Sequence, residues 1–400
     1  MTSIKAFNAF TKELDNPEVA VREILEQLKP EENMLKNTIG VVHFYHDFAE
    51  DDIWQTFADA MPFELVGGMS SYIGATGQSD DAAVSVTMFT SDVVRFAVET
   101  IEDIDTKSTE QMVGEVTRIY KEFCAEEKPK LIVPFTSPMP QFSGDDLVSA
   151  VNAFPDPVPL FGMLVYSIEG VPDSSYVVGN GKISLSMCAL MAVYGDIEPK
   201  FYMTTSFDVG EGYGEAAEIT DVEGAMLKSI NGIPALKYLK EQGIASPDDS
   251  GTGSEIAVIP AVLTCPDGTT VARAFLKVVE GTDYILAAGI IKKGSKILFS
   301  ILDGDKTVAS TDKLIKELDE AKKSTIYILS CAARAWSLGS NIFAEMQQIA
   351  DYAKEYEQKN NSPLRYSIAY TGGEICPIRD SGGKYINTLH NYTLIACAFD

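Results

Sequence analysis

Two rhythms of apolar and polar positions alternate along this chain. Val21, Ile24, Leu25 and Leu28 follow one another at helical spacing, behind Asn16-Pro17, a helix cap and a first-turn proline. Lys29-Pro30 ends that helix. Short apolar runs then mark strands: Ile39 to Phe44, Leu65-Val66 running into Gly67-Gly68, and Val84, Val86 and Met88, whose alternation predicts a half-buried strand. Val93 to Val98 is expected to pair beside that strand. Asp51-Asp52 opens a short helix between the first two runs. Ser108 and Gln111 have capping-box spacing for a helix reaching about Phe123.

The same order returns. Leu131 to Phe135 reads as a strand, Ser143 and Asp146 cap a helix through Ala153, and Pro159 to Val165 is the next strand. Ile183, Leu185 and Met187 alternate, and Phe201 to Phe207 closes the unit. It returns again near the C-terminus, with strands at Ile326 to Cys331, Tyr366 to Gly373 and Thr393 to Cys397, and a helix through Met346, Ile349, Ala350 and Ala353. The fold class predicted is mixed α/β (α+β): strand-helix-strand units, repeated in diverged form, with antiparallel hairpins forming mixed sheets flanked by helices. Between the second and third units the chain predicts a helix at Pro234 to Gln242 and a loop at Ser246 to Gly253. Short strands follow at Val258 to Leu263, Val271 to Val279, Tyr284 to Ile291 and Lys296 to Ile301, then a helix at Thr311 to Ala321.

Composition narrows the function classes. The 400 residues carry 32 Lys+Arg against 58 Asp+Glu, a formal net charge of -26. Nucleic acids and anionic membrane surfaces want a basic face, so neither is an expected partner. The six cysteines form no C-x-x-C pair, which argues against a zinc site and a disulfide framework and for a reducing, cytoplasmic setting. The start of the chain lacks the pattern of a secretory leader, and the longest apolar runs are far short of a bilayer span. His43 and His46, three apart at a strand end, point to opposite faces and make a poor metal pair. No metal or cofactor is expected.

Candidate chemistry gathers in the last seventy-five residues. Cys331 ends a buried-type strand, with Arg334 and Trp336 in the loop after it. Thr371-Gly372-Gly373-Glu374 ends the next strand, and His390-Asn391 precedes the last. Ligands of open α/β sheets bind at such strand ends. The two glycines let backbone approach a ligand. Arg334 can hold a carboxylate bidentately and Glu374 an ammonium, a pairing suited to a zwitterion. The alternative is that Arg334 and Glu374 pair with each other and Asn391 only caps a turn. Cys331 and His390 could also be a nucleophile and its base, which requires an accessible thiol of low pKa.

Taken together, the run Ile328 to Arg334, Leu338-Gly339, Glu345, Thr371-x-Gly373-Glu374 and His390-Asn391-x-Thr393 resembles the C-terminal half of the FIST domain family. Asn231-Gly232-Ile233-Pro234-Ala235, Val271 to Ala274, and Gly289 with Gly294-Ser295 fit the same half, and residues 37–207 are similar to its N-terminal half. The resemblance implies three segments: a helical stretch over 1–36, an N-like domain of two units over 37–207, and a C-like domain over 208–400 whose α/β unit starts near 324. It implies a sensory, signal-transducing module of the cytoplasm that binds a small polar ligand, amino acids among the candidates. Output would pass through a signalling partner. The ligand-binding residues are then expected at Cys331, Arg334, Thr371, Gly372, Gly373, Glu374, His390 and Asn391. A ligand-free interaction scaffold and a Cys331–His390 enzyme are the rival readings. The N-terminal half departs from the family at Ser70-Ser71-Tyr72, where a Thr-x-Gly-Glu element is usual, so a second site there is not expected.

Overall fold

The computed structural model describes residues 4–139, 142–165, 174–207, 212–245, 259–379 and 383–399. Its framework is one unit repeated three times: edge strand, helix, strand, helix, strand, hairpin, returning strand. The first unit runs Lys5–Thr11, Pro17–Leu28, Asn37–Phe44, Asp51–Ala60, Glu64–Met69, a hairpin Ile73–Ala75 and Gln78–Asp80, and Val84–Ser91. The second runs Arg95–Glu102, Thr109–Phe123, Leu131–Thr136, Gly144–Asn152, Gly162–Leu164, a hairpin Val177–Gly179 and Lys182–Ser184, and Met187–Tyr194. The third runs Lys200–Thr205, Gly304–Ala321, Thr325–Cys331, Ala344–Asn360, Arg365–Thr371, a hairpin Gly373–Arg379 and Tyr385–His390, and Thr393–Phe399.

Capping residues start the first helix of each unit. The Asn16 side chain accepts from the Val19 amide at 3.0 Å, Ser108 and Gln111 form a reciprocal box, and Asp303 accepts from the Asp305 amide at 2.8 Å. That last cap sets the helix start at Gly304, earlier than the apolar spacing from Thr311 indicates.

Each unit builds a six-stranded sheet but does not complete it alone. Its two central strands run parallel and its returning strand pairs antiparallel with the first of them. The hairpin leaves. The first unit's hairpin pairs with Arg365–Thr371 of the third, the third's with Gly162–Leu164 of the second, and the second's with Glu64–Met69 of the first. The exchange closes a ring. Two of the hairpins turn through Thr76-Gly77 and Asn180-Gly181, whose positive φ values (55° and 80°, 51° and 72°) match a two-residue turn that follows strand twist.

Inner faces of the three sheets share one apolar core, including Val41, Val66, Val133, Phe135, Tyr327 and Leu329. Within it is a cavity of about 20 Å³ lined by Val41, Phe161, Tyr327 and Phe399 among others. The outer faces are covered by each unit's own helices. Between the third unit's edge strand and first helix lies a fourth, eight-stranded antiparallel sheet with the helix Ala235–Glu241 and its own core. Asn231-Gly232 forms one of its tight turns, with φ of 49° and 77°. No helix among the described residues is long and apolar enough to cross a membrane.

The repeat, the mixed sheets and the flanking helices agree with the sequence reading; several pairings differ. Arg95–Glu102 does not pair beside Val84–Ser91. It crosses to the second sheet and pairs with Met187–Tyr194. Lys200–Thr205 likewise joins the third sheet beside Thr393–Phe399. Val84–Ser91 is buried on both faces, with Val84, Val86 and Met88 packed among the first unit's helices, while Lys5–Thr11, a strand within the stretch read as helical, pairs along its far edge. Its hydroxyl face is satisfied locally: the Asn8 side chain donates to Thr87 Oγ1 at 2.8 Å. The loop Ser246 to Gly253 lies outside the described residues.

The ring makes a prediction about connectivity. Ile4 and Phe399 line the same cavity, and Lys5–Thr11 holds the edge of the first sheet as Arg95–Glu102 and Lys200–Thr205 hold the edges of the other two. Joining Phe399 to Ile4 through a short linker and opening the chain between Ser91 and Arg95 should preserve the parent's circular dichroism and a single melting transition. A permutant that collects as aggregate would contradict the ring.

Candidate functional site

The third unit's two central strands run parallel in a register that sets Cys331 beside Thr371. Both are fully covered, at 4% and 0% exposure. After Thr371 the chain turns at Gly372, whose amide donates to the Leu164 carbonyl at 3.0 Å, and enters the second unit's sheet at Gly373. Gly372 and Gly373 therefore serve strand exchange; a Cβ on Gly373 would come within 3.3 Å of Leu389 Cδ1.

Glu374 follows at once, fully buried. Its Oε1 accepts from Thr371 Oγ1 at 2.6 Å; its Oε2 accepts from Thr393 Oγ1 at 2.8 Å and the Thr393 amide at 3.3 Å. Among the described residues no cation pairs with it directly. Burial pushes this carboxyl up to about 7, against the hydrogen bonds and the Arg334 charge, which favour its ionised form.

Arg334 is not a free anion clamp, nor does it pair with Glu374. It sits on the short helix Ala332–Ser337, and its Nη2 donates to Glu345 Oε1 at 2.5 Å and to Ser310 Oγ at 2.9 Å. Both ions are fully buried. Glu345 also accepts from Thr311 at 2.7 Å, from the Tyr370 hydroxyl at 2.8 Å and from Ser330 at 3.1 Å. Burial opposes its ionisation, but the guanidinium and these donors outweigh burial and hold the carboxyl below its ordinary range. Arg334 Nη1 is buried without a partner. The Glu345 signal was in the sequence: Glu345, Ile349, Tyr352 and Tyr356 make one helical stripe, and all four are buried.

His390 pairs with Glu374 across the hairpin, but its Nε2 donates to the Cys376 carbonyl at 3.1 Å, and burial lowers its pKa to about 4. The Cys331 thiol is raised well above its usual range, chiefly by burial and then by the Glu374 charge. A buried thiol and a ring engaged elsewhere do not make a nucleophile and base. His43 is also spent: its Nε2 meets the Tyr327 hydroxyl at 2.8 Å in the central core. The described residues contain no group of three or more side chains able to hold a metal.

The inserted sheet closes over these residues. Cys331, Ala333, Tyr392 and Trp336 pack against Val262, Ala272, Ala274 and Ala288. Asn391, rather than capping a turn, accepts from the Ala274 amide at 3.2 Å. Arg273 spans the seam: it donates to Asp145 at 2.9 Å and to the Leu389 carbonyl at 3.2 Å. Arg273 and Asp145 were not expected at the site, and a lone arginine inside the apolar run Val271 to Ala274 was the available signal. The structure thus brings Cys331, Thr371, Glu374, His390 and Asn391 to one seam, and turns the Arg334 guanidinium toward Glu345.

Comparison with known proteins agrees with this architecture. The family model of the FIST N domain matches residues 38–233, and that of the FIST C domain matches residues 235–377. The chain belongs to the FIST family. FIST domains are sensory domains of signal-transduction proteins. No curated protein matches it. Among solved structures, phosphoribosylformylglycinamidine synthase II from Thermotoga maritima aligns at 10% identity over 99% of this chain and 72% of that one, with a TM-score of 0.19, which carries no argument.

Removing one partner of a buried ion pair strands the other. Arg334→Met should cost ~3–5 kcal/mol in urea unfolding, and adding Glu345→Gln should recover part of it. Unfolding of Arg334→Met at the wild-type midpoint would remove the pair from the account.

Proposed function

We propose that this chain is a cytoplasmic sensor whose ligand carries an ammonium group, an amino acid or a related amine, received by Glu374 at the seam between the third unit and the inserted sheet. The observation that supports this reading is the Glu374 carboxyl itself. It is wholly removed from water, held in place by two hydroxyls and one amide, and forms no ion pair among the described residues. A carboxylate so placed is costly to ionise, and a cationic ligand is what would offset that cost. Thr371, Gly372, Gly373, Asn391, His390 and Cys331 form the surrounding wall. Arg334 contributes through its one unpartnered nitrogen, Nη1, while Nη2 stays with Glu345.

Thr371, Gly373, Glu374, Asn391 and Cys331 are buried and Gly372 and His390 half-buried, so binding parts the seam at Asn391–Ala274 and Arg273–Asp145. That opening is the conformational difference a sensor needs. It moves the inserted sheet relative to the hairpin Gly373–His390, and a partner protein reads the movement.

A thermal-shift screen against the free amino acids and simple amines tests the reading. A ligand at a hundred times its dissociation constant should stabilise by ~2.7 kcal/mol, a shift of a few degrees. Glu374→Gln keeps the shape and removes the charge, and should weaken the hit by ~1.5–3 kcal/mol. A hit unaffected by Glu374→Gln would remove Glu374 from the site, and a panel without hits would contradict amine sensing.

A further inference from the structure

The hairpin Gly373–His390 has its base at Glu374 and its far end on the second unit. There Arg379 and Tyr385 face each other in register, with the guanidinium 4.2 Å above the ring and donating to the hydroxyl at 2.8 Å. Beside them a cleft of about 270 Å³ opens between Lys128, Lys130, Asp156, Lys384, Tyr385 and the prolines of the two adjoining loops. In a chain of net charge -26, three lysines and one aspartate line this cleft.

The cleft is preformed. Asn387 ties its two walls: the Leu160 amide donates to Asn387 Oδ1 at 2.7 Å, and Asn387 Nδ2 donates to the Val158 carbonyl at 3.0 Å. The Asn152 side chain holds the Asn387 backbone, and Lys384 donates to the Pro155 carbonyl at 2.7 Å. Lys128 pairs with Asp156, and Lys130 is exposed. Rigid walls spare an incoming partner the ordering cost. The outer backbone of strand Tyr385–His390 is already engaged, at Asn387 by Asn152 and at Leu389 by Arg273. A partner therefore binds here by charge and by contact with Tyr385, not by adding a strand.

We propose that this cleft is the docking surface for a short acidic segment of a partner protein, rich in Asp and Glu. Charge complementarity carries the assignment. A long polyanion such as nucleic acid meets the field of the whole acidic chain, whereas a short segment feels mainly charges within ~8–10 Å. The inference rests on the reading of the chain as a sensor whose output passes through a partner. It places that output at the far end of the hairpin whose base holds Glu374.

A fluorescently labelled short peptide of Glu and Asp, titrated with the full chain, tests it. Binding should weaken several-fold between ~50 and ~200 mM salt. It should fall at least about tenfold in the double variant Lys130→Glu, Lys384→Glu, and less in Lys130→Ala. All three are surface changes, and matching thermal melts verify the fold. No binding at low salt, or binding indifferent to both variants, overturns the proposal. So does displacement of the peptide by inorganic tripolyphosphate or a short DNA duplex at lower concentration than by unlabelled peptide. These outcomes leave amine sensing at Glu374 untouched, and a failed amine screen leaves this test standing.

Discussion

Between Thr371 and Gly373 the chain leaves one sheet and enters the next, and much of the molecule depends on that transfer. A two-stranded hairpin is marginal alone and needs a sheet to complete it. Here each hairpin is completed by the second of another unit's two central strands, so each unit's sheet is finished by its neighbour's chain. The central core is shared among all three sheets for the same reason. The corner cannot shift without disturbing both sheets, which makes it a firm place for chemistry and a sensitive one.

Polar groups near that corner fall into two kinds. Arg334 and Glu345 are a matched pair with further donors from Thr311, Ser330 and Tyr370, so most of the cost of burying charge is offset locally. Glu374 has hydrogen bonds but forms no ion pair among the described residues, so its cost is only partly offset. The first arrangement anchors the helices Gly304–Ala321 and Ala344–Asn360 to the sheet. The second leaves a requirement that a cationic group can meet. The corresponding corner of the first unit shows the contrast: Tyr72 stands there, packed edge-on to Tyr370 at 5.5 Å, where the third unit has Glu374.

Much of the framework was legible in the sequence because it rests on local signals. Capping pairs at Ser108–Gln111 and Ser143–Asp146, and apolar runs at Ile39 to Phe44 and Ile326 to Cys331, fix elements within a few residues. The ring was not legible, since which sheet a hairpin joins is decided by contacts hundreds of residues apart, such as Ser70 Oγ with the Tyr370 carbonyl at 2.9 Å. Near that corner, Cys331, Thr371, Glu374, His390 and Asn391 could be read as neighbours because strand ends and short motifs are local. Arg334 reads in the sequence as a clamp for a ligand carboxylate; its pairing with Glu345 was not legible because Glu345 lies on the next long helix, and only that helix's buried stripe shows it facing inward. Arg273 and Asp145 meet across a seam between separate cores, for which no sequence spacing is a guide.

Glu374 is a buried carboxyl whose burial outweighs its hydrogen bonds and the Arg334 charge. Its folded pKa of about 7 lies above the ordinary value of 4.5, so protonation favours the folded state. The stability it contributes is present below about pH 4.5 and is lost as pH rises through 7, on the order of 3 kcal/mol. His43 and His390, both lowered to about 4, work in the opposite sense, losing stability as pH falls below about 6.5, so the wild type must be compared with Glu374→Gln. The direct measurement is the unfolding free energy of both proteins from pH 5 to 8. The account predicts that the wild type loses stability relative to the variant across that range and levels off above pH 7. A difference that does not change with pH would show Glu374 ionised throughout, and would contradict it.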